Sequence, residues 1–439
     1  MKFRAYTLRN IHEIPYIDTL SKEELFAIEV TSQVFPFKTN NYVVEKLIDW
    51  ENAPEDPLFI LNFPRKEMLK PEHFNLVASA YRSGDKQRLR SIVKEIRYTL
   101  NPHPAGQLEY NVPVFRGKKL MGIQHKYRET VLFFAKRAQT CHAYCSFCFR
   151  WPQFIGESEL RMGTNDIDIL IEYLSEHPEV TDLLFTGGDP MVMRASVFSD
   201  YIERIIKADL HNIRNIRIGS RVLTYWPYRF LTDDDADLML KCFERIVKSG
   251  MHLAFMAHFN HPRELETPEV ERAIKRIKDT GAEIRTQSPI LRNINDDPDL
   301  WSEMWERQVQ LGCIPYYMFM VRDTGAQHYF GVPIVEAYNI FRDAFRQVSG
   351  LARTVRGPVM STTPGKIHIL GVSYVRGEPV INLTMLQGRD PEWVMRPFYA
   401  EYDEKAYWLD DLVPAFGKEN FFFEDSFGEL EYSLFEDLN

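Results

Sequence analysis

Cys141-His142-Ala143-Tyr144-Cys145-Ser146-Phe147-Cys148 places three thiols within eight residues, and the reading of this stretch decides the fold. A C-x3-C-x2-C run offers three soft thiolates from one short loop. That is the donor set of a [4Fe-4S] cluster with one iron left without a protein ligand, open to chemistry. A closed zinc knuckle would need a fourth ligand at its own spacing. Neither Cys242 nor Cys313 lies in a paired C-x2-C or near an H-x3-H.

Around this loop the pattern is repetitive. From about residue 131 a short apolar run of strand length is followed by a loop and an amphipathic stretch of helix length. Strand candidates begin near Val131, Thr181, Ile213, Met251, Glu283 and Ile314. Helix ends are legible at Thr232 before Asp233-Asp234-Asp235 with Gly250 beyond, and at Thr267-Pro268 with Gly281 beyond. Six β-then-α units predict an α/β fold with a parallel sheet, closing as a partial (β/α)6 barrel. On that plan Cys141 follows the first strand, Gly187-Gly188 follow the second, His258 ends the fourth and Gln287 lies late in the fifth. All then face the carboxyl-end mouth, where barrel active sites form. Beyond the sixth unit, Lys366 to Leu370 and Val380 to Leu386 flank a turn at Gly377 and read as a hairpin closing the barrel region.

Residues 1–120 read as a mainly helical extension that wraps the barrel and carries nothing of catalytic appearance. Ser21 with Glu24 forms a capping box, and Asp85 caps a run from about Lys86 to Leu100. Residues 121–375 form the barrel, and residues 376–439 the hairpin and a tail.

The chain of 439 residues carries a formal charge of -9, and its source is local. Residues 401–439 hold twelve carboxylates against Lys405 and Lys418, a net of -10. A phosphate backbone is therefore an unsuitable partner, since nucleic-acid affinity comes from clustered Lys and Arg. Trp408, Phe416, Phe421, Phe422, Phe423, Phe427 and Phe435 make this an acidic-aromatic tail rather than a solvated acidic one. It is expected to dock on the barrel or on a neighbouring subunit. No 18-residue apolar run and no basic-then-apolar leader is present, and five cysteines with three clustered suit a reducing compartment. The expectation is a cytoplasmic protein without membrane or signal segments.

The cysteine spacing, with an aromatic before the second cysteine, resembles the radical S-adenosylmethionine (SAM) superfamily. Further stretches resemble the lysine 2,3-aminomutase family: Leu183-Leu184-Phe185-Thr186-Gly187-Gly188-Asp189-Pro190, Arg217-Ile218-Gly219-Ser220-Arg221, His258-Phe259-Asn260-His261-Pro262, Gln287 to Asp296, and Pro315-Tyr316-Tyr317, in order. The resemblance implies that Cys141, Cys145 and Cys148 ligate the cluster. It further implies that Thr186, Gly187, Gly188, Asp189, Arg221, His258 and Gln287 line the SAM site. The residues alone also suit an ordinary strand-to-helix turn, hydrogen-bonded strand-end groups and a surface arginine.

The resemblance also implies pyridoxal 5′-phosphate (PLP), carried covalently on a lysine of a glycine-containing loop after the sixth strand. Pro364-Gly365-Lys366 offers Lys366 there, in a loop shorter than that of the lysine enzymes. In His125-Lys126-Tyr127-Arg128, Lys126 and Arg128 match the basic stretch that holds the PLP phosphate. Arg150 matches an arginine that grips the substrate α-carboxylate, a task suited to a guanidinium fork. The two aspartates that hold the distal ammonium in lysine enzymes fall here on Arg322, with Asp323 next to it, and on Thr362. A cation and a hydroxyl in place of two anions reverse what the site should attract.

The implied function is a radical SAM, PLP-dependent amino-acid 2,3-aminomutase, with glutamate or aspartate as the expected substrate. The alternatives are a lysine 2,3-aminomutase with Asp323 in the aspartate role, an aminomutase of a protein- or carrier-bound residue, and a cluster-bearing protein without PLP chemistry. A flavodoxin- or ferredoxin-like electron donor and a homo-oligomeric assembly are also implied.

Overall fold

The computed structural model describes residues 1–102, 110–156 and 161–428. The longer helices described ahead of the main sheet are α1 (Lys22–Val34), α2 (Pro71–Ser83) and α3 (Lys86–Thr99). The sheet strands are β1 (Ile123–Tyr127), β2 (Thr130–Phe134), β3 (Asp182–Thr186), β4 (Asn215–Ser220), β5 (His252–His258) and β6 (Glu283–Pro289). They continue with β7 (Ile314–Phe319), β8 (Arg356–Ser361), β9 (Gly365–Val375), β10 (Glu378–Gly388) and β11 (Pro397–Glu401). Helices α4 (Ile167–Glu176), α5 (Ala195–Ala208), α6 (Ala236–Lys248), α7 (Pro268–Asp279), α8 (Pro298–Gln310) and α9 (Ile334–Gln347) form the crossovers.

All eleven strands lie in one sheet in chain order. Strands β2 to β8 are parallel, while β1 and β9 to β11 add antiparallel edges. The six β-then-α units are present, and each expected strand begins within two residues of its anticipated start. Six units are followed by a seventh parallel strand, β8, which sequence reading passed over. Its run is broken by Gly357-Pro358, and its pairing skips register between Tyr317–Arg356 and Phe319–Val359. The anticipated hairpin is β9 and β10, turning at Gly377 with φ 88°. It extends the sheet beyond β8.

Alternation along the strands separates two faces. Phe185 of β3 is fully buried and packs edge-on against Phe198 of α5. Thr186 and Leu184 therefore face the other side, where Arg217 of β4 and Gln287 of β6 are only half-buried. That inner face is strongly curled. The Lys366 amine on β9 lies 5.4 Å from the centre of the Tyr127 ring on β1. In a flat sheet eight strand spacings would separate these strands by about 38 Å.

The expected caps hold in three of four cases. The Ser21 hydroxyl accepts from Glu24 N at 3.2 Å and the Glu24 carboxylate accepts from Ser21 N at 2.7 Å. Asp85 accepts from Gln87 N and Arg88 N, both at 3.0 Å, and Thr267 accepts from Val270 N at 3.3 Å. Thr232 is not a cap, for α6 starts at Ala236. The carboxylates after Thr232 are engaged elsewhere: Asp233 accepts from the Trp226 indole, and Asp235 accepts from Ala195 N at the start of α5 and from Arg229.

The N-terminal extension also makes hydrogen bonds to the cysteine loop. Tyr144 N donates to Lys38 O (2.8 Å), and Ser146 N and its hydroxyl donate to Leu61 O (3.0 Å) and Ile60 O (2.6 Å). The Asn40 amide donates to His142 O (3.3 Å) and Tyr225 O (3.0 Å), while its carbonyl accepts from Tyr42 N and Val43 N. Phe3 packs edge-on against His142 and Trp226. The cysteine loop is thus held from outside.

The tail docks on its own chain. Trp408, Phe421 and Phe423 are buried, and Phe398 of β11 contacts the rings of Phe421, Phe422 and Phe423. Phe416 is exposed, and Phe435 lies outside the described residues. One hydrophobic core includes Tyr6, Phe185 and Phe423. Among the described residues no helix is long and apolar enough to cross a membrane.

Asn40 is fully buried and serves four backbone groups, so Asn40→Ala should lower stability by at least about 1–3 kcal/mol, the cost of one orphaned buried group. Denaturation midpoints of the two proteins measure this.

Candidate functional site

Every parallel strand delivers a candidate residue at or beyond its carboxyl end. Cys141 follows β2, Gly187 and Gly188 follow β3, and Arg221 follows β4. His258 ends β5, Gln287 lies late in β6 paired with His258, Arg322 follows β7, and Thr362 follows β8. The convergence is a consequence of parallel pairing, which puts all the carboxyl ends on one side of the sheet.

Cys141, Cys145 and Cys148 are free thiols. Burial pushes all three thiols up, Cys148 to about 12, and the charge of neighbouring cysteines adds to this at Cys141 and Cys148. Among the described residues no three His, Cys, Asp or Glu side chains converge to hold a single metal ion. Three thiolates around a larger polynuclear group are a different arrangement, and soft donors that resist ionisation without a cation fit an iron–sulfur cluster. The Tyr225 hydroxyl donates to Cys145 Sγ at 3.2 Å. The amine of half-buried Lys38 donates to Cys141 O at 2.6 Å and to the Thr140 hydroxyl at 3.4 Å. Burial lowers the pKa of this amine, and the Cys141 thiolate raises it.

The need for glycine after β3 is explained by the cysteine loop itself. Gly187 has φ 141°, and a Cβ on Gly188 would lie 2.4 Å from Thr140 O. Gly188 N and Asp189 N donate to Ala138 O, and Asp189 N also reaches Thr140 O. The Asp189 carboxylate accepts from the Ser220 hydroxyl (2.7 Å), Arg221 N (3.0 Å) and Met191 N (2.9 Å), and burial pushes it up to about 6. This turn clamps the entry to the cysteine loop against the end of β4. Thr186, ending β3, is half-buried beside it.

Arg221 is 7% exposed rather than a surface cation. Its guanidinium donates to Glu264 at 2.7 Å and to Asn260, leaving only Nε unpartnered. His258 presents a buried Nε2 without a hydrogen-bond partner, and burial holds its imidazole neutral. Its ring lies 5.8 Å from that of Phe147, within the cysteine motif. Cys242 and Cys313 are buried apart from the loop, in α6 and just before β7.

Lys366 is the first inward group of β9, not a loop residue, and follows the seventh strand. It pairs across the hairpin with Ser361. Its amine donates to the Gln387 carbonyl at 2.7 Å and lies 5.0 Å from the Tyr317 ring. Burial, with Arg217 and Arg356 nearby, pushes it down to about 7. Lys126 faces the same interior. Burial, then Arg389, Arg322 and Lys366, hold its amine well below the usual lysine range, and it donates to Thr362 O. Arg128 is exposed in the β1–β2 turn and takes no part in this cluster.

Arg150 lies over the rings of Phe134 (4.5 Å) and Phe149 (5.1 Å), and burial, with Arg322 opposed by Cys148, pushes it down to about 10. Arg322 lies near the rings of Phe149 (5.5 Å) and Trp408 (6.0 Å), so the tail reaches the site. Its buried Nε has no hydrogen-bond partner, and Asp323 Oδ1 is 3.7 Å away. Thr362 does not present a free hydroxyl: its N and Oγ1 both donate to Gly365 O at 2.9 Å, making it a hairpin-turn residue. Lys38, Asn40, Tyr225, Gln387 and Arg389 carry no signal in the sequence that marks them for the site. None lies in a local motif of its own, and only the long-range fold brings them here.

No family model matches the chain. A protein of Aquifex aeolicus (strain VF5) named "Putative L-lysine 2,3-aminomutase" is 32% identical over 409 residues, 92% of this chain and 95% of that protein. The L-lysine 2,3-aminomutase of Clostridium subterminale is 28% identical over 230 residues, 52% of this chain and 51% of its own. Among solved structures, "Native anSMEcpe with bound AdoMet" overlaps 49% of this chain and 59% of its own at 12% identity and a TM-score of 0.36, a superposition too loose to bear on function.

Replacing Cys141, Cys145 or Cys148 by Ala should abolish cluster loading, measured as iron and sulfide per chain after anaerobic reconstitution. Cys242→Ala and Cys313→Ala should load as the parent does. Loss of iron in either of these would overturn the ligand assignment.

Proposed function

The chain belongs to the lysine 2,3-aminomutase family of radical SAM enzymes, and on that premise we propose that it moves the amine of a free acidic α-amino acid from C2 to C3. It is a radical SAM aminomutase, an isomerase, of a family whose cofactors are a [4Fe-4S] cluster, SAM and PLP. The curl of the sheet supports a partial (β/α)6 barrel as the frame. In this reading Cys141, Cys145 and Cys148 hold the cluster, while Thr186 to Asp189, His258 and Gln287 line the SAM side. Arg221 acts from beneath, through Asn260 and Glu264. Bound there, the cluster and SAM supply a carbon radical and PLP carries the migrating amine.

The observation that carries the substrate reading is the charge of the interior. Lys126, Arg150, Arg322 and Lys366 share it, and Lys126 and Arg150 both feel Arg322 closely enough for its charge to depress their own. Such a cluster attracts anions: the PLP phosphate at Lys126, the substrate α-carboxylate at Arg150 and a distal carboxylate at Arg322. Lys366, with its lowered pKa, has a nucleophilic amine near neutral pH, as covalent capture of PLP requires. A distal ammonium would enter against these charges.

A lysine substrate is the second reading. The names of the relatives favour it, as does the half-buried Asp323 beside Arg322. A flavodoxin- or ferredoxin-like donor, a homo-oligomer and a cytoplasmic setting belong to either reading.

Borohydride-trapped PLP should map to Lys366 and vanish in Lys366→Ala, with cluster loading intact. The trapping rate should rise with pH through about 7, because the amine is unprotonated above its pKa, and level off well below pH 10. A rise centred near 10 would contradict the buried, neutral amine.

Glutamate or aspartate should be converted by the reconstituted protein while lysine is not. A charged hydrogen bond to the Arg322 guanidinium is worth about 1.5–3 kcal/mol, so Arg322→Ala should weaken the acidic substrate roughly ten- to a hundredfold. Efficient lysine turnover, or unchanged kinetics in Arg322→Ala, would shift the assignment to the reading through Asp323.

A further inference from the structure

Lys38 stands between Phe37 and the short strand Thr39–Asn40, far in sequence from every motif of the site. Its amine nevertheless sits against the cysteine loop, on Cys141 O at 2.6 Å and the Thr140 hydroxyl at 3.4 Å, and 5.8 Å from the Tyr144 ring. Its own carbonyl accepts from Tyr144 N, so backbone and side chain grip the loop together. Both hydrogen-bond acceptors of the amine are neutral, and among the described residues no carboxylate pairs with it. An ammonium partly withdrawn from water in this way gains most where the loop itself supplies the counter-charge.

The loop supplies one when loaded. Three thiolates leave an iron–sulfur centre with net negative charge, which grows by one when an electron enters. Asp189, whose charge acts on Cys141, has its carboxylate already matched by the Ser220 hydroxyl and the N–H groups of Met191 and Arg221. Tyr225, from the segment after β4, adds a hydrogen bond to Cys145 Sγ from the other side.

We infer that Lys38 is the counter-ion of the loaded cysteine loop, a positioning residue that raises the reduction potential of the cluster by stabilising its more negative, reduced state. The inference rests on the assignment of Cys141, Cys145 and Cys148 as ligands. A lysine supplied by the N-terminal extension thereby makes that extension part of the redox machinery.

The test is redox potentiometry of the reconstituted full-length protein without SAM, with dithionite as reductant and the reduced cluster followed by electron paramagnetic resonance. Lys38→Gln keeps a donor to Cys141 O and removes the charge, while Lys38→Arg keeps the charge. The midpoint of Lys38→Gln should move to a more negative value with iron content unchanged, and that of Lys38→Arg should stay near the parent. Failure of Lys38→Gln alone to load iron, with Lys38→Arg loading normally, would equally support a requirement for the charge. An unchanged midpoint in Lys38→Gln would overturn the inference, as would equal shifts or equal loss of iron in both variants, which mark a packing role. Failure of the ligand assignment is separate: it would appear as normal iron content in the cysteine variants.

Discussion

A loop that must present three thiols cannot also be a helix or a strand, and its backbone groups need partners from elsewhere. That constraint organises this structure. Lys38, Asn40, Ile60 and Leu61 supply backbone or side-chain partners from the N-terminal side, and Ala138 and Thr140 bond into the glycine turn after β3. Gly188 is a glycine because the Thr140 backbone occupies the place of its Cβ. Asp189 then ties the same turn to the end of β4, where Arg221, Asn260 and Glu264 form a buried network. The loop is rigid because its neighbours hold it.

The second determinant is unbalanced charge on the inner face. The outer faces of the strands bury Phe185, Ile216 and Ile218, whereas the inner face carries Arg217, Lys126 and Lys366 around Tyr127 and Tyr317. Cations crowded together depress one another, and the cost is tolerable only where anions are to be bound. The protein's net charge of -9 gives no hint of this, because the excess of carboxylates over cations is concentrated in residues 401–439. Their tail nevertheless returns to the site through Trp408, near Arg322.

Much of this was legible in the linear sequence. Local signals carried the β-then-α alternation, the caps at Ser21, Asp85 and Thr267, and the hairpin turning at Gly377, because each depends on residues a few positions apart. The β8 strand was hidden by Gly357-Pro358, which reads as a break and is accommodated by a skip in pairing. The start of α6 was misplaced because Asp233 and Asp235 bond to Trp226, Arg229 and α5, partners that no local pattern reveals.

The sequence by itself determined the cysteine spacing, the order of motifs along a parallel sheet and the side on which they converge, since parallel pairing leaves no other choice. Only the tertiary structure decided what each candidate does with its polar atoms. Arg221 proved buried and paired, Thr362 closed a turn, Arg128 faced solvent, and Lys366 became the first inward residue of a strand beside Gln387. Lys38 and Asn40 entered the site from the other end of the chain. A residue's chemistry is set by its partners and burial, and those arise from contacts between separate segments, from the turn at Thr362 to pairs more than a hundred residues apart at Lys38 and Asn40, which periodicity and spacing do not encode.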